Sequence, residues 1–238
     1  MLIGTTGSGK SEFIKTMLLS AVSTHSPAQL NLLLGDFKGG TTFQGMENLP
    51  HTTAIVTNLE GSSELVLRLE DVLRGEMDRR QELLAEAALA LHQAVPDVRT
   101  YERFREKGAP LEPLPALFIV LDEFAEMLKS HPEFNDLFQS IVAVGRALRM
   151  HLLLATQSLE NVNLSKIEPN LAYRIALDFN HDAHAVLVGL VTQLTDAFEF
   201  FLFHQLGDLF DQAGFVDLIR NLGNHDRFAT VVGDFNRC

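Results

Sequence analysis

The sequence predicts an α/β fold, a mainly parallel sheet flanked by helices, and three observations carry that expectation. Gly4-Thr5-Thr6-Gly7-Ser8-Gly9-Lys10-Ser11 sets glycines, a lysine and a hydroxyl in fixed spacing between a strand stub, Leu2-Ile3, and a helix. A continuous apolar run, Leu117-Phe118-Ile119-Val120-Leu121, ends in the adjacent acids Asp122 and Glu123. A second run, His151-Leu152-Leu153-Leu154-Ala155, ends in Thr156-Gln157. Strands apolar on both faces belong inside a parallel sheet that helices cover.

The first segment fits the phosphate-binding P-loop pattern at every fixed position. Its glycines let successive backbone N–H groups turn inward around a β-phosphate, Lys10 reaches the β/γ oxygens, and the Ser11 hydroxyl can ligate Mg²⁺. The predicted nucleotide-contacting stretch runs through Gly4, Thr5, Thr6, Gly7, Ser8, Gly9, Lys10, Ser11 and Glu12. Asp122 is the second metal-holding candidate, and Glu123 the group that polarises the water attacking the γ-phosphate. Gln157, polar at a strand's carboxyl end, is the candidate γ-phosphate sensor. The implied cofactors are ATP and Mg²⁺, although the loop reads phosphates and not the base.

Along the chain, residues 10–24 read as a helix with Phe13, Ile14, Met17, Leu18 and Ala21 on one face, closed by Ser26-Pro27. Residues 30–35 form a buried strand ending in Asp36-Phe37-Lys38-Gly39-Gly40, a charged loop at the sheet end where α/β proteins place ligands. Asp36 and Lys38 stand there to contact nucleotide, a neighbouring subunit or solvent. Residues 53–57 make a short strand. The longest helix covers 61–93, periodic through Leu65, Leu69, Val72, Leu73, Met77 and Leu84. Arg68, Arg74, Arg79 and Arg80 stand among acids on its charged face, read most simply as solvated and alternatively as an assembly surface.

Residues 108–115, with prolines at 110, 113 and 115, form an extended connector into the Asp122 strand. A helix over 133–149 carries Arg146 and Arg149 near its carboxyl end, where arginine also complements the helix dipole. A strand over 173–177 and a short helix over 181–189 follow, with His181 and His184 read as an exposed helix face rather than metal ligands. From residue 190 the periodicity is lost. Phe198, Phe200, Phe201, Phe203, Phe210 and Phe215 crowd a stretch that is an irregular core edge, a partner-binding segment or a misread frame. The boundary expected is therefore 1–189 for the nucleotide-binding domain and 190–238 for a divergent tail. An extra strand between the P-loop strand and the Asp122 strand, with glutamate after that aspartate, suits the RecA/ASCE-like branch of translocases and ring motors.

Composition narrows the function. At 238 residues and 46% hydrophobic, the chain can bury one substantial core, and no Gly/Ser or Pro linker divides it. A balance of 19 basic against 31 acidic residues gives a net charge of −12, which makes DNA an unlikely partner, because duplex binding relies on phosphate neutralisation. The lone cysteine, Cys238, allows no disulfide framework. No apolar stretch approaches the ~20 residues that span a bilayer, so a cytoplasmic domain is expected. Because so little precedes Gly4, the chain is expected to begin inside a domain.

With these residues in hand, the chain resembles the FtsK/SpoIIIE group of motor ATPases, and more closely the first ATPase domain of the EccC proteins of type VII secretion. Carrying the resemblance are the P-loop through Glu12, Thr24-His25-Ser26-Pro27, Asp36-Phe37-Lys38-Gly39-Gly40, Leu49-Pro50-His51, Gly75-Glu76-Met77 with Arg79-Arg80-Gln81-Glu82-Leu83-Leu84, Asp122-Glu123-Phe124, and 151–157. These occur in order at family-like spacing over 1–189. The resemblance implies that Arg146 is an arginine finger reaching a neighbouring protomer's nucleotide in a ring. It also implies a plasma-membrane anchor in full-length relatives and small secreted helical proteins as transport substrates of the full machine. Two departures stand out: Arg149 where family members usually have glycine, and Ser158 where they have arginine after the sensor glutamine. The expected function is Mg²⁺-dependent ATP hydrolysis driving protein export. The alternatives are an FtsK-like DNA translocase domain and a nucleotide-binding regulatory module without useful turnover.

Overall fold

A computed structural model of the protein describes residues 1–57, 63–160 and 162–177. The expectations for His181, His184 and the phenylalanine-rich stretch lie outside the described residues. Contacts divide the chain into two units, one comprising residues 1–3 and 26–175, the other residues 4–25 with 176 and 177 among those described.

The first unit is built on parallel strands, and the helix over residues 10–24 belongs to the second. In chain order the elements are β1 (Leu2–Gly4), α1 (Lys10–Thr24), β2 (Leu30–Asp36), β3 (Thr52–Thr57), α2 (Ser63–Leu91), α3 (Val98–Glu106), β4 (Ala116–Asp122), α4 (Phe124–Ser130), α5 (Phe134–Leu148), β5 (Met150–Thr156), a 3₁₀ turn (Glu168–Asn170) and β6 (Ile175–Leu177). The sheet order is β3-β2-β4-β5-β1-β6, and the pairings β2/β3, β2/β4, β4/β5 and β1/β5 are parallel. β4 lies near the middle and all of its residues are buried, as a strand covered on both faces requires. Register levels the strand ends: Asp36 opposes Asp122, Asp122 opposes Ala155, and Ile3 opposes Thr156. Asp36, Asp122 and Thr156, at the ends of three strands, are thereby gathered along one edge.

Helix α5 turns Phe134, Leu137, Phe138, Ile141, Gly145 and Leu148 inward. A Cβ on Gly145 would stand 2.5 Å from the carbonyl oxygen of Met150, so only glycine lets the end of α5 approach the start of β5 this closely. The turn between them is made by Arg149 at φ 52°, a left-handed helix cap. That conformation strains a residue bearing Cβ, whereas glycine adopts it without steric cost. We expect Arg149→Gly to stabilise the fold by about 1 kcal/mol, a rise of roughly 2–4 °C in Tm. An unchanged or lower Tm in a thermal melt would mean that contacts of the arginine side chain offset the strain.

One expectation for the helical layer is corrected. Arg80 does not belong to a solvated face. It is 2% exposed, and donates from Nε to Glu76 (2.7 Å), from Nη1 to the Leu148 carbonyl (2.7 Å) and from Nη2 to the Pro115 carbonyl (2.8 Å). One guanidinium thus ties α2 to the end of α5 and to the connector before β4, and loss of such a buried, paired charge costs several kcal/mol. Arg74 and Arg79 do pair on the exposed face, with Glu70 at 2.8 Å and Glu76 at 2.7 Å. A helix not read from the sequence precedes the connector: α3 starts on an N-cap in which Asp97 accepts the Thr100 N–H at 2.7 Å.

Candidate nucleotide site

The phosphate loop lies in the second unit. It begins at Gly4, the last residue of β1, and a Cβ there would meet Ser8 Oγ at 2.4 Å and the Leu177 carbonyl oxygen at 3.2 Å. The Thr5 carbonyl accepts the Ser8 N–H at 3.1 Å, closing a turn. Gly7 and Gly9 take φ of 85° and 86°, left-handed values open to glycine. Gly9 is the N-cap of α1 and brings no side chain to it. A helix whose first N–H groups lack a side-chain cap carries partial positive charge at that end.

The chemistry of this loop fits an anion. Ser8 Oγ is buried without a hydrogen-bond partner, a hydroxyl left for a group from outside the chain. Lys10 is only 5% exposed, a rare position for an ammonium. Ser11 follows in the first turn of α1, half-buried. Glu12 is exposed and takes Lys15 at 3.4 Å. Thr5 is half-buried, whereas Thr6 and Gly7 are exposed at the tip.

The acidic residues form a separate cluster in the first unit. Asp122 ends β4, 3% exposed; its Oδ1 accepts the Glu123 N–H at 3.0 Å and its Oδ2 accepts the Thr42 hydroxyl at 2.9 Å. Glu123 stands at φ 56°, a left-handed residue through which the chain passes directly from β4 into α4. Such strain in a buried glutamate at a strand end is a mark of functional positions. The Glu123 carboxylate, 4% exposed, accepts the Thr156 hydroxyl at 3.4 Å and the Gln157 N–H at 3.3 Å, both long contacts.

Asp36 organises the neighbouring loop. Its carboxylate accepts the N–H groups of Lys38 (3.1 Å), Gly39 (3.2 Å) and Thr42 (3.0 Å). Burial pushes this carboxyl up, but the surrounding backbone N–H groups outweigh burial and hold it below its ordinary value. Its contribution to stability is therefore complete above the unfolded value and is lost as pH falls through the lower folded one. The clasp is intact at neutral pH. From the loop it holds, Lys38 Nζ donates to Gln157 Oε1 at 2.8 Å.

Asp122, Glu123 and Gln157, three of the predicted residues, thus converge with Asp36, Lys38, Thr42 and Thr156. Thr42 had no sequence signal, whereas an aspartate before two glycines at a strand end marks a loop-clasping turn. Arg146 stands apart from this group. It is exposed in the last turn of α5, beside Tyr173, whose hydroxyl is pushed up by burial against the opposing effect of Arg146. Ser158 continues the turn after β5; its carbonyl, at 2.9 Å, is the nearer of two acceptors that share the Thr156 hydroxyl hydrogen with Glu123, and its own hydroxyl accepts the Glu160 N–H at 3.1 Å. Among the described residues no group of three or more His, Cys, Asp or Glu could hold a metal ion. Among them, too, no helix is long and apolar enough to cross a membrane.

A mostly parallel sheet with a glycine loop leading from β1 into α1, and an acidic pair ending a central strand, has the P-loop NTPase fold. More narrowly, the chain belongs to the FtsK/SpoIIIE family, whose profile its residues 1–161 match. It is 58% identical over 193 residues to the ESX-1 secretion system protein EccCa1 of Mycobacterium tuberculosis, a match covering 79% of this chain and 26% of the relative. It is 51% identical over 177 residues to the ESX secretion system protein EccC of Thermomonospora curvata, covering 74% of this chain and 13% of the relative. Among solved structures, the cytoplasmic domain of the T. curvata type VII secretion ATPase EccC superposes with a TM-score of 0.69 at 52% identity, over 74% of this chain and 20% of that one. The chain spans about a quarter or less of the relatives it matches.

Proposed function

We propose that this chain is an ATP-hydrolysing motor domain of a type VII secretion machine, acting on the cytoplasmic side to power protein export. The observation that carries this reading is the buried acidic pair: Asp122 with both oxygens engaged and Glu123 facing Thr156 and Gln157. A family match across the P-loop and this pair supports it, as does 58% identity to EccCa1.

In this reading Lys10 and the loop N–H groups of Gly4, Thr5, Thr6, Gly7, Ser8, Gly9, Ser11 and Glu12 bind the phosphates. Mg²⁺, when bound, would neutralise charge on the β/γ-phosphate oxygens, with Ser11 and Asp122 as its protein ligands. Glu123 draws a proton from the attacking water, Gln157 orients that water, and Arg146 serves a neighbouring protomer in a ring. The substrates of the full machine are small secreted helical proteins. Thr42 keeps Asp122 in a single orientation by donating to one of its oxygens.

The test begins with binding. Titration of a fluorescent ATP analogue against Lys10→Ala should show affinity lowered about a hundredfold, since a charge-assisted contact to phosphate is removed. Unchanged affinity would remove the loop from the nucleotide site.

A further inference from the structure

The carboxyl ends of β2, β4 and β5 lie side by side with β4 in the middle. Lys38 follows β2 and Gln157 follows β5, so their 2.8 Å hydrogen bond passes over the end of β4, where Asp122 and Glu123 sit. Two strand spacings amount to roughly 10 Å, a gap that lysine and glutamine side chains together cover.

Both ends of this strap are anchored. At the β2 end, Asp36 accepts the N–H groups of Lys38 and Gly39, and Thr42 joins the same loop to Asp122. At the β5 end, the Gln157 N–H reaches Glu123 Oε2 at 3.3 Å, and Thr156 reaches the same oxygen at 3.4 Å. A glutamine side chain has several free torsions, and a charged donor on its oxygen removes much of that freedom.

We infer that Lys38 is a positioning residue for Gln157: its ammonium holds the amide oxygen, so that the amide is presented in one orientation beside Glu123. The inference rests on the ATPase reading above for its role in turnover, whereas the contact can be tested without it. Lys38 acts through Gln157 and belongs to a loop that sequence alone left between nucleotide, neighbour and solvent.

The experiment uses the full chain labelled with [¹⁵N]glutamine, the Gln157 side-chain amide being identified by its loss in Gln157→Leu. Lys38→Met should displace the Gln157 amide signals while leaving Tm and the backbone spectrum in place, and Lys38→Arg should restore most of the displacement. In steady-state ATP turnover, Lys38→Met should lower kcat about tenfold at unchanged KM, with Lys38→Met/Gln157→Leu no slower than Gln157→Leu alone. Unmoved Gln157 signals, a general loss of stability, or effects that multiply in the double variant would overturn the inference. Turnover that ignores Lys10→Ala would instead overturn the ATPase reading, and the spectrum would then decide the Lys38 contact by itself.

Discussion

Glu123→Gln is expected to retain ATP binding and lose hydrolysis by about a hundredfold or more, the usual worth of a positioned general base. The amide keeps the size and shape of the carboxylate, so the left-handed turn from β4 into α4 is undisturbed. Its carbonyl oxygen can still accept from Gln157 N–H, and the Thr156 hydroxyl, which now accepts or donates, can meet the amide group. Both present contacts are long, 3.4 and 3.3 Å, so their adjustment costs little stability. What changes is basicity at the one atom that would take the proton. Binding of a fluorescent analogue and phosphate release under saturating ATP separate the two effects. Release at the wild-type rate would assign water activation to another group. Asp122→Asn should differ in kind, raising the Mg²⁺ concentration needed for half-maximal activity, because Asp122 is the proposed metal ligand.

Periodicity made the strands legible. β2, β4 and β5 are runs of leucine, isoleucine and valine, and their ends fall within a residue or so of the expected positions; α1 covers the expected 10–24. Elements lacking a broad apolar stripe were not legible. In α3 only Val98 and Tyr101 are buried among charged residues, so its N-cap, Asp97, was the sole available signal. Arg80 was misread for a related reason. Apolar periodicity counts an arginine as outward, yet here the partners that satisfy it are carbonyls of Leu148 and Pro115, far along the chain.

The site divides in the same way. Motif spacing picks out the P-loop, Asp122 and Glu123 as candidates, and a polar side chain at a strand's carboxyl end picks out Gln157. The connections among them are tertiary: Thr42 reaches Asp122 across 80 residues, and Lys38 reaches Gln157 across 119. No local pattern specifies such a pair. It follows from the parallel register that levels the strand ends.

Arg146→Ala is expected to lower ATP turnover by about 10³-fold or more, the range for loss of an arginine finger, without weakening nucleotide binding or the fold. The residue is exposed in the last turn of α5 and apart from the acidic cluster of its own chain, as a side chain acting on a neighbour must be. Exposure also separates it from Gly145 beside it, whose replacement would drive a Cβ into the Met150 carbonyl. If Arg146 acts in trans, specific activity of the wild type should rise with protein concentration, and tethered copies should be more active still. A mixture of Arg146→Ala with Glu123→Gln protomers should then recover activity that neither has alone. In that mixture some interfaces pair an intact Glu123 site with an arginine donated by the other variant. Sedimentation must first show that both variants fold and associate like the wild type. Wild-type turnover by associated Arg146→Ala, with activity independent of concentration, would reduce Arg146 to a charge complementing the end of α5 and remove the reason to place this domain in a ring.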